Sequence, residues 1–186
     1  MGIRASTETK LLDAAEELFF THGIQSTSID AVLARAGVSA ATLYRGFASK
    51  DALVAAALDR RHNAWIGVWN RAIAERITPH DRLLSVFAAL DEFHGRPDAS
   101  RWCAFLGSAA EYATPPEEIA RSVARDTETL RARLFQLSEA VGSRRASALA
   151  DELVLVITGY LAMHLRDPKH QTGTARAIAT ALIGSP

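Results

Sequence analysis

Apolar residues recur along this chain at intervals of three and four, with polar residues filling the positions between. That spacing is the mark of amphipathic helices, and no period-2 run of β-branched residues interrupts it. Residues 7–21 place Leu11, Ala15, Leu18 and His22 on one stripe, with Leu12 and Phe19 beside it, and His22-Gly23 ends the helix. Ile29, Val32 and Leu33 make a second, short stripe after Thr27 as N-cap. Leu43 and Phe47 make a third, after Ser39. A long fourth helix covers residues 50–76 and stops before Pro79; at 1.5 Å per residue it is on the order of 40 Å long. Residues 80–94, 101–112, 115–141, 145–166 and 174–183 complete the series. They are separated by Gly95 and Pro97, Thr114-Pro115-Pro116, Gly142-Ser143 and Asp167-Pro168. The pattern predicts an all-α fold of nine helices, with residues up to about Arg4 as a mobile arm.

The segment 27–50, TSIDAVLARAGVSAATLYRGFASK, carries the most specific chemistry. Two short helices meet at Gly37, which suits the left-handed backbone of a tight helix–helix turn. Ala34 and Ala36 let the second helix approach closely, Val38 fills the turn, and Ser39 caps the next helix. In that helix Leu43 and Phe47 face inward, while Ala41, Thr42, Tyr44 and Arg45 spread over the other face and Ala40 lies on the shoulder. This is a helix-turn-helix, whose second helix enters the DNA major groove. Small side chains bring the backbone near the bases; Ala41 suits a thymine methyl and Arg45 a guanine edge or a phosphate. Thr42 and Tyr44 offer hydroxyls to phosphate oxygens. Ser49 caps the following helix, whose N-terminus forms a second phosphate site with Lys50. The DNA-contacting set is Thr27, Ser28, Ser39, Ala40, Ala41, Thr42, Tyr44, Arg45 and Lys50.

Through Leu18-Phe19, His22-Gly23, Thr27-Ser28-Ile29, Ala36-Gly37-Val38-Ser39, Thr42-Leu43-Tyr44, Phe47 and Ser49-Lys50-Asp51-Ala52-Leu53, the sequence resembles the TetR family of one-component transcriptional regulators. The resemblance is specific over roughly residues 6–53. Further on, Arg101-Trp102-Cys103-Ala104-Phe105 is similar to an Arg-Gly-Cys-x-Phe segment of one branch. There are two departures. Gly46 stands where the family has His or Tyr, which removes a phosphate contact, and Trp102 replaces Gly. The resemblance implies a three-helix DNA-binding domain over residues 1–48. A helical effector-binding and dimerisation domain would follow over residues 49–186.

Composition changes this picture little. Of 186 residues, 48% are hydrophobic and 23% charged, as in ordinary globular chains. Twenty-one basic residues balance 21 acidic ones, so the chain lacks the basic footprint usual for DNA binding and local contacts must supply it. The single Cys103 excludes an internal disulfide, and no zinc spacing occurs. No signal peptide and no apolar run of membrane-spanning length is read, so the expected location is cytoplasmic. No nucleophile–base motif or phosphate loop suggests an enzyme, and no cofactor is implied.

Aromatic residues concentrate behind the helix-turn-helix. His62, Trp65 and Trp69 share a face of the fourth helix, and Phe87, Trp102, Cys103, Phe105, Tyr112, Phe135, Tyr160 and His164 lie on later helices. The resemblance implies that these enclose a cavity for a small, mostly apolar effector. Residues 153–165, LVLVITGYLAMHL, are apolar almost all round, so that helix needs cover on two sides. A second copy of the chain is the natural cover, and in the family the last two helices of two subunits pair. Leu155, Gly159, Ala162, Met163, Ile178 and Leu182 are the expected interface. A two-fold dimer would read a palindromic operator in double-stranded DNA.

Overall fold

The computed structural model describes residues 3–96 and 103–184. Among them are nine α-helices and no strand. The helices are α1 (Ala5–His22), α2 (Ile29–Ala36), α3 (Ala40–Gly46), α4 (Lys50–Ala74), α5 (Pro79–His94), α6 (Ala104–Glu111), α7 (Glu117–Ala140), α8 (Ala146–Arg166) and α9 (Gly173–Ile183). The chain divides into two compact units, Met1–His62 with Ser100–Ala124, and Asn63–Ala99 with Arg125–Pro186. Helices α4 and α7 contribute residues to both.

The first unit is built around α1. Its Leu11, Ala15 and Phe19 are fully buried and pack with Val32 of α2, Leu43 of α3, and Leu53 and Leu58 of α4. His22, placed on the same stripe by periodicity, is exposed, because the helix ends there and Gly23 turns the chain at φ 96°. Gly37 adopts φ 65° and ψ 38°, the left-handed conformation the sequence calls for between α2 and α3. Arg60 ties α4 to α1 through Asp13 at 2.8 Å and Glu16 at 2.5 Å.

Two local expectations change. The N-cap of α2 is Ser28, whose Oγ accepts from the Ala31 N–H at 3.1 Å. Thr27 is 5% exposed and donates its hydroxyl to the Gly23 carbonyl at 2.7 Å, so it braces the preceding turn. Of the expected mobile arm, residues 1–2 lie outside the described residues, and Ile3 and Arg4 contact the first unit. Arg4 caps α1 through its carbonyl, which accepts from Thr7 and Glu8, and Ile3 is half-buried.

In the second unit, Val68 and Trp69 of α4, Leu83, Val86 and Phe87 of α5, Leu134 of α7 and Leu149, Leu153 and Ile157 of α8 form one buried cluster. Helix α8 is the most apolar of the described helices of this length, with an 18-residue window of mean hydropathy 1.5. Its Leu153, Ile157 and Tyr160 nevertheless face the unit's own core. The opposite side stays open, with Leu155 74% and Met163 43% exposed. One flank of this helix is covered within the chain and the other is not.

Candidate nucleic-acid interface

Helix α3 is held from beneath. Leu43 is fully buried and Phe47 nearly so, both within the first unit's core. Above them Ala40, Ala41, Tyr44 and Arg45 are exposed, with Tyr44 at 54%. Ala40, on the shoulder of the helix at its first position, is exposed as well. Seven residues make a short helix of marginal intrinsic stability, so its ends matter. Ser39 caps the N-terminus by accepting from the Thr42 N–H at 3.3 Å. The Phe47 N–H returns to the Leu43 carbonyl at the other end.

A polar chain runs along this helix at intervals of three residues. The Ser39 and Thr42 hydroxyls lie 2.9 Å apart, and Arg45 Nη2 donates to Thr42 Oγ1 at 3.0 Å. The guanidinium is thus folded back along α3, while Arg45 as a whole stays exposed. Ser28 is exposed at the start of α2, whereas Thr27 keeps its hydroxyl inside.

Lys50 behaves differently from the sequence expectation. Its Nζ donates to the Ile24 carbonyl at 2.6 Å and lies 5.7 Å from the centre of the Phe19 ring. One of its three N–H donors is therefore engaged in bracing the α1–α2 turn. Ser49 caps α4 as expected, accepting from the Ala52 N–H at 3.0 Å. The same turn is gripped from α6, where Glu111 accepts from the Ile24 N–H at 3.0 Å and the Gln25 N–H at 2.8 Å. Tyr112, beside it, has its phenol pushed up to about 12 by burial, then by the charges of Asp51 and Glu111. Local sequence reasoning missed Glu111, because its partners lie 86 and 87 positions away and no periodicity links them.

Gly46 also acquires a role. A Cβ there would stand 2.5 Å from Cδ1 and 2.9 Å from Cγ1 of Ile3. The end of α3 is a seat for Ile3, and a side chain as large as His or Tyr would displace it.

The aromatic set expected around an effector falls in both units, apart from Trp102, which lies outside the described residues. In the first unit His62 is buried and meets Phe105 edge-on at 6.4 Å. Cys103 is half-buried at the N-cap of α6, and Tyr112 is half-buried too. In the second unit Trp65 and Trp69 lie 5.6 Å apart, Phe87 is buried and Phe135 packs at the core's margin. Tyr160 is buried with its hydroxyl 3.1 Å from His94 Nδ1, and His94 stacks on His164 at 4.4 Å. His164 in turn reaches the His170 carbonyl through Nδ1 at 3.1 Å. His94 and His170 were invisible as partners in the sequence, lying on a different helix and in a loop.

Residues 11–57 match the family model described as bacterial regulatory proteins, tetR family. A 50-residue stretch is 42% identical to the HTH-type transcriptional regulator UidR of Escherichia coli, covering 27% of this chain and 26% of that one. Over 113 residues the chain is 26% identical to the HTH-type transcriptional repressor ComR of Escherichia coli, covering 60% of this chain and 54% of the relative. The matches thus span about a quarter and about half of these relatives. Among solved structures, a TetR-family transcriptional regulator from Streptomyces coelicolor superposes with a TM-score of 0.88 at 27% identity, covering 97% of this chain and 95% of that one. A TetR-type protein from Streptomyces avermitilis gives 0.82 at 28% identity, covering 95% and 96%.

Proposed function

The chain belongs to the TetR family of bacterial regulatory proteins, and we propose that it is a homodimeric, cytoplasmic DNA-binding repressor released from its operator by a small, mostly apolar effector. One observation carries this reading. Helix α3 is capped by Ser39 and seated on Leu43 and Phe47, and it presents Ala40, Ala41, Tyr44 and Arg45 outward. Small residues beside an exposed Tyr and a positioned Arg suit a helix lying in a major groove.

The open side of α8 supports the dimer. Leu155 and Met163, with Ile178 of α9 at 47% exposed, form apolar surface on the two helices that pair between subunits in this family. Gly159, also exposed, and half-buried Ala162 leave room for close approach, and Leu182 is half-buried beside them. Two recognition helices related by a two-fold axis read a palindrome with half-sites about 34–36 Å apart or a multiple of that. For control, the reading uses α4, one uninterrupted helix from Lys50 to Ala74 that carries His62, Trp65 and Trp69. An effector that favours one position of this helix shifts operator affinity by the difference in its own affinity for the two states. The proposed division is residues 1–48 for DNA binding and 49–186 for effector and dimer.

Selection of sites from random DNA with the purified protein tests the proposal. Enrichment of a palindrome is expected. Arg45→Ala should relax base preference at one position of each half-site. Lys50→Ala should weaken all sequences alike and reduce the salt slope by about one. Failure to enrich any sequence would overturn the reading.

A further inference from the structure

Two buried N–H donors in the second unit, on side chains that touch each other, have no acceptor. Trp69 is 0% exposed, and its indole Nε1 has no hydrogen-bond partner. Arg133 of α7 lies over the same ring, its guanidinium carbon 5.0 Å from the ring centre, and its Nη1 is buried and unpartnered too. Other arginines of this unit are placed quite differently. Arg71 pairs with Glu92 at 2.7 Å, Arg131 with Asp151 at 2.6 Å, and Arg145 with Glu152. Burial alone holds the Arg133 guanidinium below its ordinary range, with no carboxylate acting in the opposite sense.

Unmade hydrogen bonds in a dry setting are costly, and half-buried Arg133 keeps one guanidinium nitrogen in such a setting. Indole N–H and guanidinium are donors only, so the group that satisfies both is an acceptor. Next to a cation without a counter-charge, an anionic oxygen gains most. The surroundings are apolar. Trp65 lies 5.6 Å from Trp69, Phe93 meets Trp65 edge-on at 5.7 Å, and Val68 and Leu134 are fully buried in the same cluster. A bare phosphate or sulfate would give up its hydration here for few contacts, whereas a carboxylate on a hydrocarbon body matches both halves of the site.

We propose that Trp69 and Arg133 form the polar end of the effector site, and that its ligand is an apolar carboxylic acid bound as the carboxylate. The proposal rests on the effector-controlled reading above and narrows it from a mostly apolar compound to an acid. Arg133 holds the carboxylate by charge and hydrogen bond. Trp69 adds a second donor and, with Trp65, a flat apolar wall.

The test titrates the full chain with decanoate and 4-phenylbutyrate, and in parallel with decanamide, 4-phenylbutyramide and inorganic phosphate. Binding is read by tryptophan fluorescence and calorimetry. The acids should saturate, and the amides should bind at least about tenfold more weakly, since one lost charge-assisted contact is worth that ratio. Phosphate should not compete. Arg133→Gln should abolish the preference for acid over amide, Arg133→Lys should retain part of it, and Trp69→Phe should weaken acid binding several-fold. If Arg133→Gln does not fold, the Lys and Phe variants carry the comparison. Equal binding of acids and amides, no saturation by either acid, or unchanged preference in the Arg133 variants would overturn the inference. Acid binding without selection of any DNA site would instead sink the regulator reading and leave this site standing. Operator binding with no acid bound would remove only the site.

Discussion

The carboxylate of Glu111, at the end of α6, accepts the backbone N–H of Ile24 at 3.0 Å, and its second oxygen accepts that of Gln25 at 2.8 Å. One side chain thereby satisfies two consecutive donors in the turn between α1 and α2, while Lys50 holds the Ile24 carbonyl from the other direction. The turn that sets the start of the helix-turn-helix is held by two residues that both follow it in sequence, Lys50 at 26 positions from Ile24 and Glu111 at 87.

Glu111→Gln should therefore destabilise the protein by about 1–3 kcal/mol, because an amide offers one accepting oxygen where the carboxylate offers two and carries no charge. Urea denaturation measures the loss. Amide hydrogen exchange should accelerate at Ile24 and Gln25 while the core of the second unit keeps its protection. Unchanged exchange at both positions would mean that the clasp contributes nothing to the turn.

Gly46 and Ile3 should be energetically coupled. An Ala at 46 gains up to about 1 kcal/mol of helix propensity over Gly, yet its Cβ falls 2.5 Å from Ile3 Cδ1 and must displace it. Gly46→Ala should accordingly stabilise an Ile3→Ala protein more than it stabilises the native chain. A double-mutant cycle by chemical denaturation is expected to give a coupling of about 0.5 kcal/mol or more. Strict additivity would show that Ile3 does not occupy its seat in solution.

The open apolar stripe on α8 and α9 predicts an assembly defect. Leu155→Glu, at a side chain 74% exposed, and Ile178→Glu, at one 47% exposed, should leave the fold of the subunit intact. Each places a charge in the proposed interface, where desolvation without a partner opposes association. Sedimentation at micromolar concentration should show a dimer for the native chain and monomer for the double variant, with loss of palindrome binding. A native monomer would remove the dimer from the proposal.

Two phenols give the protein a defined response to alkali. Tyr112 is pushed up to about 12 by burial and by Asp51 and Glu111, and Tyr160 to about 12 by burial and Asp91. An unfolded tyrosine ionises near its ordinary value of about 10. The unfolded chain thus loses these protons first. The contribution to stability is complete below about pH 10 and is lost progressively as pH rises from about 10 to 12. Denaturation of the native chain and of a Tyr112→Phe, Tyr160→Phe variant should diverge only in that window. Parallel pH curves would show that neither phenol is shifted.

The sequence by itself determined the helices, because apolar spacing, glycine turns and Ser caps act over four residues or fewer. It specified α3, the Ser39 and Ser49 caps, the left-handed Gly37 and the buried Leu43 and Phe47. It placed the α2 cap one residue early, since Thr27 and Ser28 are chemically equivalent caps until Gly23 folds close enough to take the Thr27 hydroxyl. Only the tertiary structure decided which polar groups meet. Glu111 reaches Ile24, Lys50 turns to a carbonyl, Ile3 settles on Gly46, and Arg133 lies over Trp69 with its charge unpaired. Such pairings depend on how helices cross and not on the period along any one of them. For that reason the helix proposed to face DNA was legible in the sequence, whereas the donors that point to an acidic effector emerged only once α4 and α7 were packed together.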